Sequence, residues 1–194
     1  MGFDMIHGCQ AAFRSLLDAS SYPGRIVDLS RESGLLDVSA PIPRAALLIA
    51  LSLMDIEVGY YVDAARRAEA ETFVSRLCGA RPVPLEEADF IFVLGVERDL
   101  ARVIRGARGG DLVDPHKGAT IVAEAEGLSE PGPLVLSGPG IREERRVSVS
   151  RDPGWMAARA EKNREFPMGV DLLFFDSRSR VLALPRTTLV AEAS

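Results

Sequence analysis

The 194-residue chain predicts an α/β fold: three layers, α/β/α, with helices on both faces of one mixed sheet. Two observations carry this. Between residues 9 and 106, apolar residues at helical spacing alternate with short runs rich in Val, Ile, Tyr and Phe. After residue 118 the texture changes to short strand-like segments at close spacing, interrupted by one helix. A third observation predicts a single domain over residues 1–194: no composition shift, repeat or linker divides the chain, and its most loop-like stretch, Gly106 to Gly118, is short and central.

Taken in order, Cys9, Phe13, Leu16 and Leu17 predict an amphipathic helix over residues 9–20, stopped by Tyr22-Pro23-Gly24. A strand follows from Arg25 to Leu29. Pro41 to Asp55 is apolar on nearly every face and predicts a buried helix, and Glu57 to Val62 a strand. Ala70, Phe73, Val74 and Leu77 give the next helix its stripe, with Gly79 as its stop. Asp89 to Leu94 predicts a buried strand, and Leu100, Val103 and Ile104 a helix that ends in the glycines of RGARGGD. The later strands are ATIVAEA, PLVLSG, RRVSV, VDLLFF, RVLAL and TTLVAEA, with one helix that Asp152 caps and Pro153 opens. Their close spacing favours antiparallel neighbours, because a parallel crossover takes a dozen or more residues.

Nearly half the residues are apolar, and 28 acidic side chains outweigh 23 basic ones for a formal charge of −5. A field of that sign repels polyanions and excludes a nucleic-acid binder. The opening MGFDMIHGCQ lacks the basic and apolar regions of an export signal, and Ile6 stands where a myristoylation signal takes Ser or Thr. The longest apolar stretch, Ala45 to Met54, is about half of what a bilayer span needs. No membrane association and a cytoplasmic location are expected. Cys9 and Cys78 form neither a disulfide framework nor a zinc or iron–sulfur motif.

Three stretches carry candidate chemistry. In SGPGIREERR, residues 137–146, glycines after a strand can turn backbone N–H groups toward an anion, with Arg142, Arg145 and Arg146 adding charge. Glu143 occupies the place of the third glycine of a dinucleotide fingerprint, so the local alternative is a bulged hairpin with a solvated Glu/Arg face. In FPMGVDLLFFDSRSRVLALPRTT, Asp171 enters one strand and Arg186 leaves its neighbour, so the two can meet at one sheet end, with Thr187 and Thr188 supplying hydroxyls that orient the guanidinium or bind an acceptor oxygen. The alternative there is an internal ion pair that fixes the last hairpin. In RGARGGDLVDPHKG, Asp111, Asp114 and His116 suit a hard metal or proton transfer, yet their spacing fits no metal motif and a polar, partner-facing loop is the stronger reading. No nucleophile and base announce themselves, so no catalytic residue is assigned.

Several segments together resemble one family. FRSLLDASSYPGRIVDL, GATIVAEAEGLS, LVLSGPGIREER and FPMGVDLLFFDSRSRVLALPRTT stand in the order seen in PhnH, the H subunit of the carbon–phosphorus lyase system of bacterial phosphonate use. The most specific parts are Gly138, Gly140, Ile141, Glu143, Glu144 and Arg145; Pro167, Gly169 and Asp171; and Pro185, Arg186, Thr187 and Thr188. The resemblance implies a fold like that of vitamin-B6-dependent transferases but without the cofactor, a homodimer, and a core assembly with the G, I and J subunits. By analogy that assembly displaces adenine from ATP with a phosphonate, giving a ribose 1-phosphonate 5-triphosphate. The residues agree on the cofactor: a Schiff base needs a suitably buried lysine, and Lys117 and Lys162 lie in polar stretches.

The leading expectation is therefore a dimeric subunit without turnover of its own. The rival is a free-standing enzyme or binding protein for a phosphorylated small molecule, held by Gly138, Gly140, Glu144, Arg145, Asp171, Arg186, Thr187 and Thr188. In the third reading the same residues only hold the fold.

Overall fold

A computed structural model describes residues 4–193. Residues 1–3, part of the opening stretch searched for a signal, and Ser194 lie outside the described residues. Helix α1 spans Met5–Ser21 and starts earlier than its apolar spacing predicts, because the Asp4 carboxylate accepts hydrogen bonds from the Ile6 and His7 amides, both at 3.0 Å. Strand β1 (Ile26–Asp28) and a short helix α2 (Ser30–Gly34) follow. Helix α3 covers only Arg44–Leu53, since Pro41 and Pro43 keep the preceding chain extended, and Ala45 to Ala50 are all buried. Then come β2 (Gly59–Asp63), α4 (Arg67–Cys78), the two-residue β3 (Arg81–Pro82), β4 (Phe90–Val93) and α5 (Leu100–Gly106). Gly79 caps α4 in the left-handed region, at φ +74°, as its position predicts.

The second half holds β5 (Thr120–Glu124), β6 (Leu128–Ser137), β7 (Arg145–Val149), α6 (Gly154–Lys162), β8 (Asp171–Phe175), β9 (Arg180–Leu184) and β10 (Leu189–Glu192). Seven strands form a mixed sheet in the order β1-β9-β8-β5-β4-β2-β3. Only β9 runs against the others, pairing antiparallel with β1 and β8. Register and pleat then sort the side chains. Phe92, Val122 and Leu173 share a row and face α1, α3 and α4, while Ile91, Ile121, Leu172 and Leu184 share the next row and face α5 and α6. Both faces are thus covered, and the strands read as continuous apolar runs.

Two expectations need correction. The segments PLVLSG, RRVSV and TTLVAEA do not join the main sheet; β10, β6 and β7 form a separate three-stranded antiparallel sheet. The apolar side chains Leu128, Leu134, Leu136, Val147 and Val149 lie on the α5/α6 side of the core, so this small sheet shares with those helices the work of covering the main one. Nor is β5 antiparallel to a neighbour: it pairs parallel with β4 and β8. Strands β6 and β7 of the small sheet, together with α6, lie between β5 and β8 in the chain and supply the long crossover that parallel pairing needs.

Candidate functional site

Antiparallel pairing sets Leu172 against Leu184, which brings the first residue of β8, Asp171, beside the chain just after β9. The Arg186 amide donates to Asp171 Oδ1 at 2.7 Å, and its Nε and Nη2 donate to Oδ2 at 3.2 and 2.5 Å. Arg186 Nη1 donates to the Pro115 carbonyl at 2.7 Å and faces that of Pro167 at 3.5 Å; Nη2 also reaches the Gly118 carbonyl at 3.4 Å. Every N–H of the guanidinium therefore meets an acceptor. It pins three segments together: the 105–118 loop, the turn before β8 and the end of β9. A side chain at Gly118 would come 2.2 Å from the Gly169 carbonyl and 2.6 Å from Arg186 Nη1, so the knot needs glycine there.

A second arginine, missed in the sequence, completes the knot. Arg159 on α6 is 4% exposed and donates to the carbonyls of Thr188 (3.0 Å), Pro185 (2.6 Å) and Leu184 (3.4 Å). Burial pulls its pKa down to about 10, against a smaller opposing pull from Asp171. Its place one turn after the buried Trp155 was a legible hint that it faces inward. Of the two roles open to the threonine hydroxyls, orienting the guanidinium is not seen: Arg186 donates to neither among the described residues. Thr188 contributes its carbonyl to Arg159, and its buried Oγ1 has no partner among the described residues.

The glycine turn belongs to the same corner. Gly138 (φ +126°) lies against the Thr187 carbonyl, 2.9 Å from where a Cβ would stand, and Gly140 (φ +83°) against Ser21 and Pro23, with the Ser21 carbonyl at 2.4 Å. The Arg145 stem crosses Gly24. Thus SGPG, YPG and PRTT, distant in sequence, pack as neighbouring turns. Glu144 stands apart, exposed and unbonded among the described residues, as do Arg142 and Arg146.

In the 105–118 loop the Asp111 carboxylate accepts the Val113 and Asp114 amides at 2.9 and 2.8 Å, and those bonds lower its pKa. Lys117 pairs with Asp114. Among the described residues no three His, Cys, Asp or Glu side chains are grouped to hold a metal. Burial pushes both cysteine thiols up, Cys78 to about 11, which suppresses the nucleophilic thiolate. No described helix is long and apolar enough to cross a membrane.

The site and fold define an α/β protein whose distinctive charged residues are engaged with its own backbone turns. The chain belongs to the family of bacterial phosphonate metabolism proteins PhnH, whose model matches residues 2–191. A relative from Stutzerimonas stutzeri, HtxG, described as a candidate C-P lyase subunit, is 38% identical over 181 residues, covering 92% of this chain and 84% of the relative. The alpha-D-ribose 1-methylphosphonate 5-triphosphate synthase subunit PhnH of Rhizobium meliloti (strain 1021) is 30% identical over 195 residues, covering 95% and 91% of the two chains.

Proposed function

We propose that this protein is a cytoplasmic subunit of a carbon–phosphorus lyase core assembly, contributing shape and docking area to formation of a ribose 1-phosphonate 5-triphosphate from ATP and a phosphonate. The observation that carries the reading is the Arg186 knot: the most family-specific charged residues, Asp171 and Arg186, are engaged with each other and with backbone carbonyls. Residues committed in this way stabilise turns and leave no donor for substrate. By the same reasoning Gly138, Gly140, Thr187 and Thr188 serve the fold, while Glu144 and Arg145, whose side chains have no partner among the described residues, are the charged members of the set free to meet a ligand or a neighbour.

Partner surface is available. Ile6, Phe13 and Leu17 form an exposed apolar seam along α1, 68%, 46% and 55% exposed, which suits burial against a second copy or against the G, I or J subunit. The likeness to vitamin-B6-dependent transferase folds is part of the same proposal, supported by a seven-stranded sheet with one reversed strand. Affinity isolation of the chain from cells grown on a phosphonate as sole phosphorus source tests the reading. Sibling subunits are expected in the eluate; recovery of the chain alone under those conditions refutes it.

A further inference from the structure

The 105–118 loop breaks a local rule at its tip. The Asp111 carboxylate accepts the Val113 and Asp114 amides at 2.9 and 2.8 Å and folds residues 111–114 into a tight bend. Gly, Pro or a short polar residue ordinarily fills such a bend, because each suits its dihedrals or bonds its backbone. Here the two central residues are Leu112 and Val113, 74% and 87% exposed. They contribute nothing to the core, and local rules of this kind are broken chiefly at functional sites.

The loop is also held firmly from below. Gly109 and Gly118 bridge its base, Arg108 donates to the Lys117 carbonyl, and Arg186 donates to the carbonyls of Pro115 and Gly118. The Gly169 amide donates to the Gly109 carbonyl at 2.7 Å, and the turn before it exposes a further large apolar side chain, Phe166. The Arg186 knot therefore fixes the tip in place before any partner arrives, which lowers the ordering cost of binding.

We propose that Leu112 and Val113 form an apolar anchor that enters a pocket on the same companion subunit that covers α1, an inference that rests on the assembly reading above. Three observations select this occupant. Two side chains cover far less than the about 800 Å² per partner of a stable interface, so the tip serves as one hot spot within a larger contact. The rest of such a contact lies next to it: Phe13 and Leu17 of the α1 seam share a cleft of about 430 Å³ with Thr120, the first residue of β5, and with Asp171 and Pro185 of the knot. Charge supplies the third. The loop's carboxylates are engaged, Asp111 by two amides and Asp114 by Lys117. At its base Lys162 donates to the Arg105 carbonyl at 3.0 Å, and neither of these two cations pairs with a carboxylate among the described residues. The receiving pocket is thus apolar within and carries a carboxylate at its rim.

Lys117 and Lys162, the chain's only two lysines, flank the loop and report on its exposure. Tagged parent protein and a Leu112→Ser/Val113→Ser variant, whose new residues suit a bend, are isolated from cells grown on a phosphonate. Free chain and assembly are then treated with an acetylating ester, and each lysine is read by mass spectrometry. The variant should keep the parent's urea midpoint and bring down about tenfold less companion subunit. Lys117 acetylation in the parent should fall several-fold on assembly. Should the double variant fail to fold, Leu112→Ala takes its place, with a several-fold loss of companion expected. A parent protein recovered alone refutes the assembly reading and this inference with it. Where the parent does bring companions, undiminished co-isolation by the folded variant, or Lys117 acetylation unchanged by assembly, overturns this inference alone. A lowered midpoint in both variants would assign the tip to the fold and overturn it as well.

Discussion

Arg186 and Asp171, fifteen residues apart in the chain, are joined three times over: by the Arg186 amide and by two edges of its guanidinium on one carboxylate. Arg186 also holds the carbonyls of Pro115 and Pro167. Removing it leaves a partly buried carboxylate and several acceptors unpaired. Arg186→Ala is expected to cost about 2–4 kcal/mol in urea unfolding, and Arg186→Lys more than half of that, because an ammonium cannot fork across the same acceptors. A stable Arg186→Ala protein would show that the knot is not structural.

The glycine turn makes a sharper steric prediction. Gly140 combines φ +83° with a carbonyl 2.4 Å from any added Cβ, whereas a Cβ on Gly127 would meet nothing nearer than 3.9 Å. Gly140→Ala should therefore cost roughly 1–3 kcal/mol and Gly127→Ala little, as read from their denaturation midpoints.

Cys78 predicts an alkaline loss of stability. Burial lifts its thiol from 9.0 to about 11, so between those values the unfolded chain has released a proton that the folded chain still holds. Stability then falls as pH rises, by about 1–2 kcal/mol across that window. Arg159, pulled down to about 10, acts with the opposite sign only above that pH. Urea midpoints at pH 8, 9 and 10 should decline in the parent protein and decline less in Cys78→Ala. Equal declines would assign the loss elsewhere.

Much of this was legible in the sequence, for identifiable reasons. Continuous apolar runs located β2, β4, β8 and β9, since burial on both faces of the sheet imposes them, and helical spacing located α1, α3, α4 and α5, whereas the five-residue α2 carried no such signal. The meeting of Asp171 and Arg186 was also legible, because a short polar turn between two apolar runs forces a hairpin and hence a shared end. What was hidden depends on contacts between distant segments. The split of late strands between two sheets turns on which apolar face each strand covers, and nothing local to PLVLSG or RRVSV distinguishes those choices. Arg159 was missed because a buried arginine on a polar-looking helix is betrayed only by the carbonyls of a turn 26 residues away. That the Thr188 carbonyl, and not a threonine hydroxyl, meets an arginine was hidden for the same reason.

The α1 seam predicts a separation of folding from assembly. Ile6 and Leu17 are exposed, so Ile6→Glu and Leu17→Glu should each shift stability by no more than about 0.5 kcal/mol. Together they should abolish co-isolation with sibling subunits. Unfolding of the double variant, or undiminished co-isolation, would remove the seam from the docking surface.

The most direct measurement uses the purified, homogeneous protein with ATP and methylphosphonate, following release of free adenine. With Asp171 and Arg186 committed to the fold and no nucleophile in an activating setting among the described residues, the isolated chain should release none above background, and release should appear only when the companion subunits are added. Adenine release by the chain alone, lost in a folded Arg186 variant, would contradict the account.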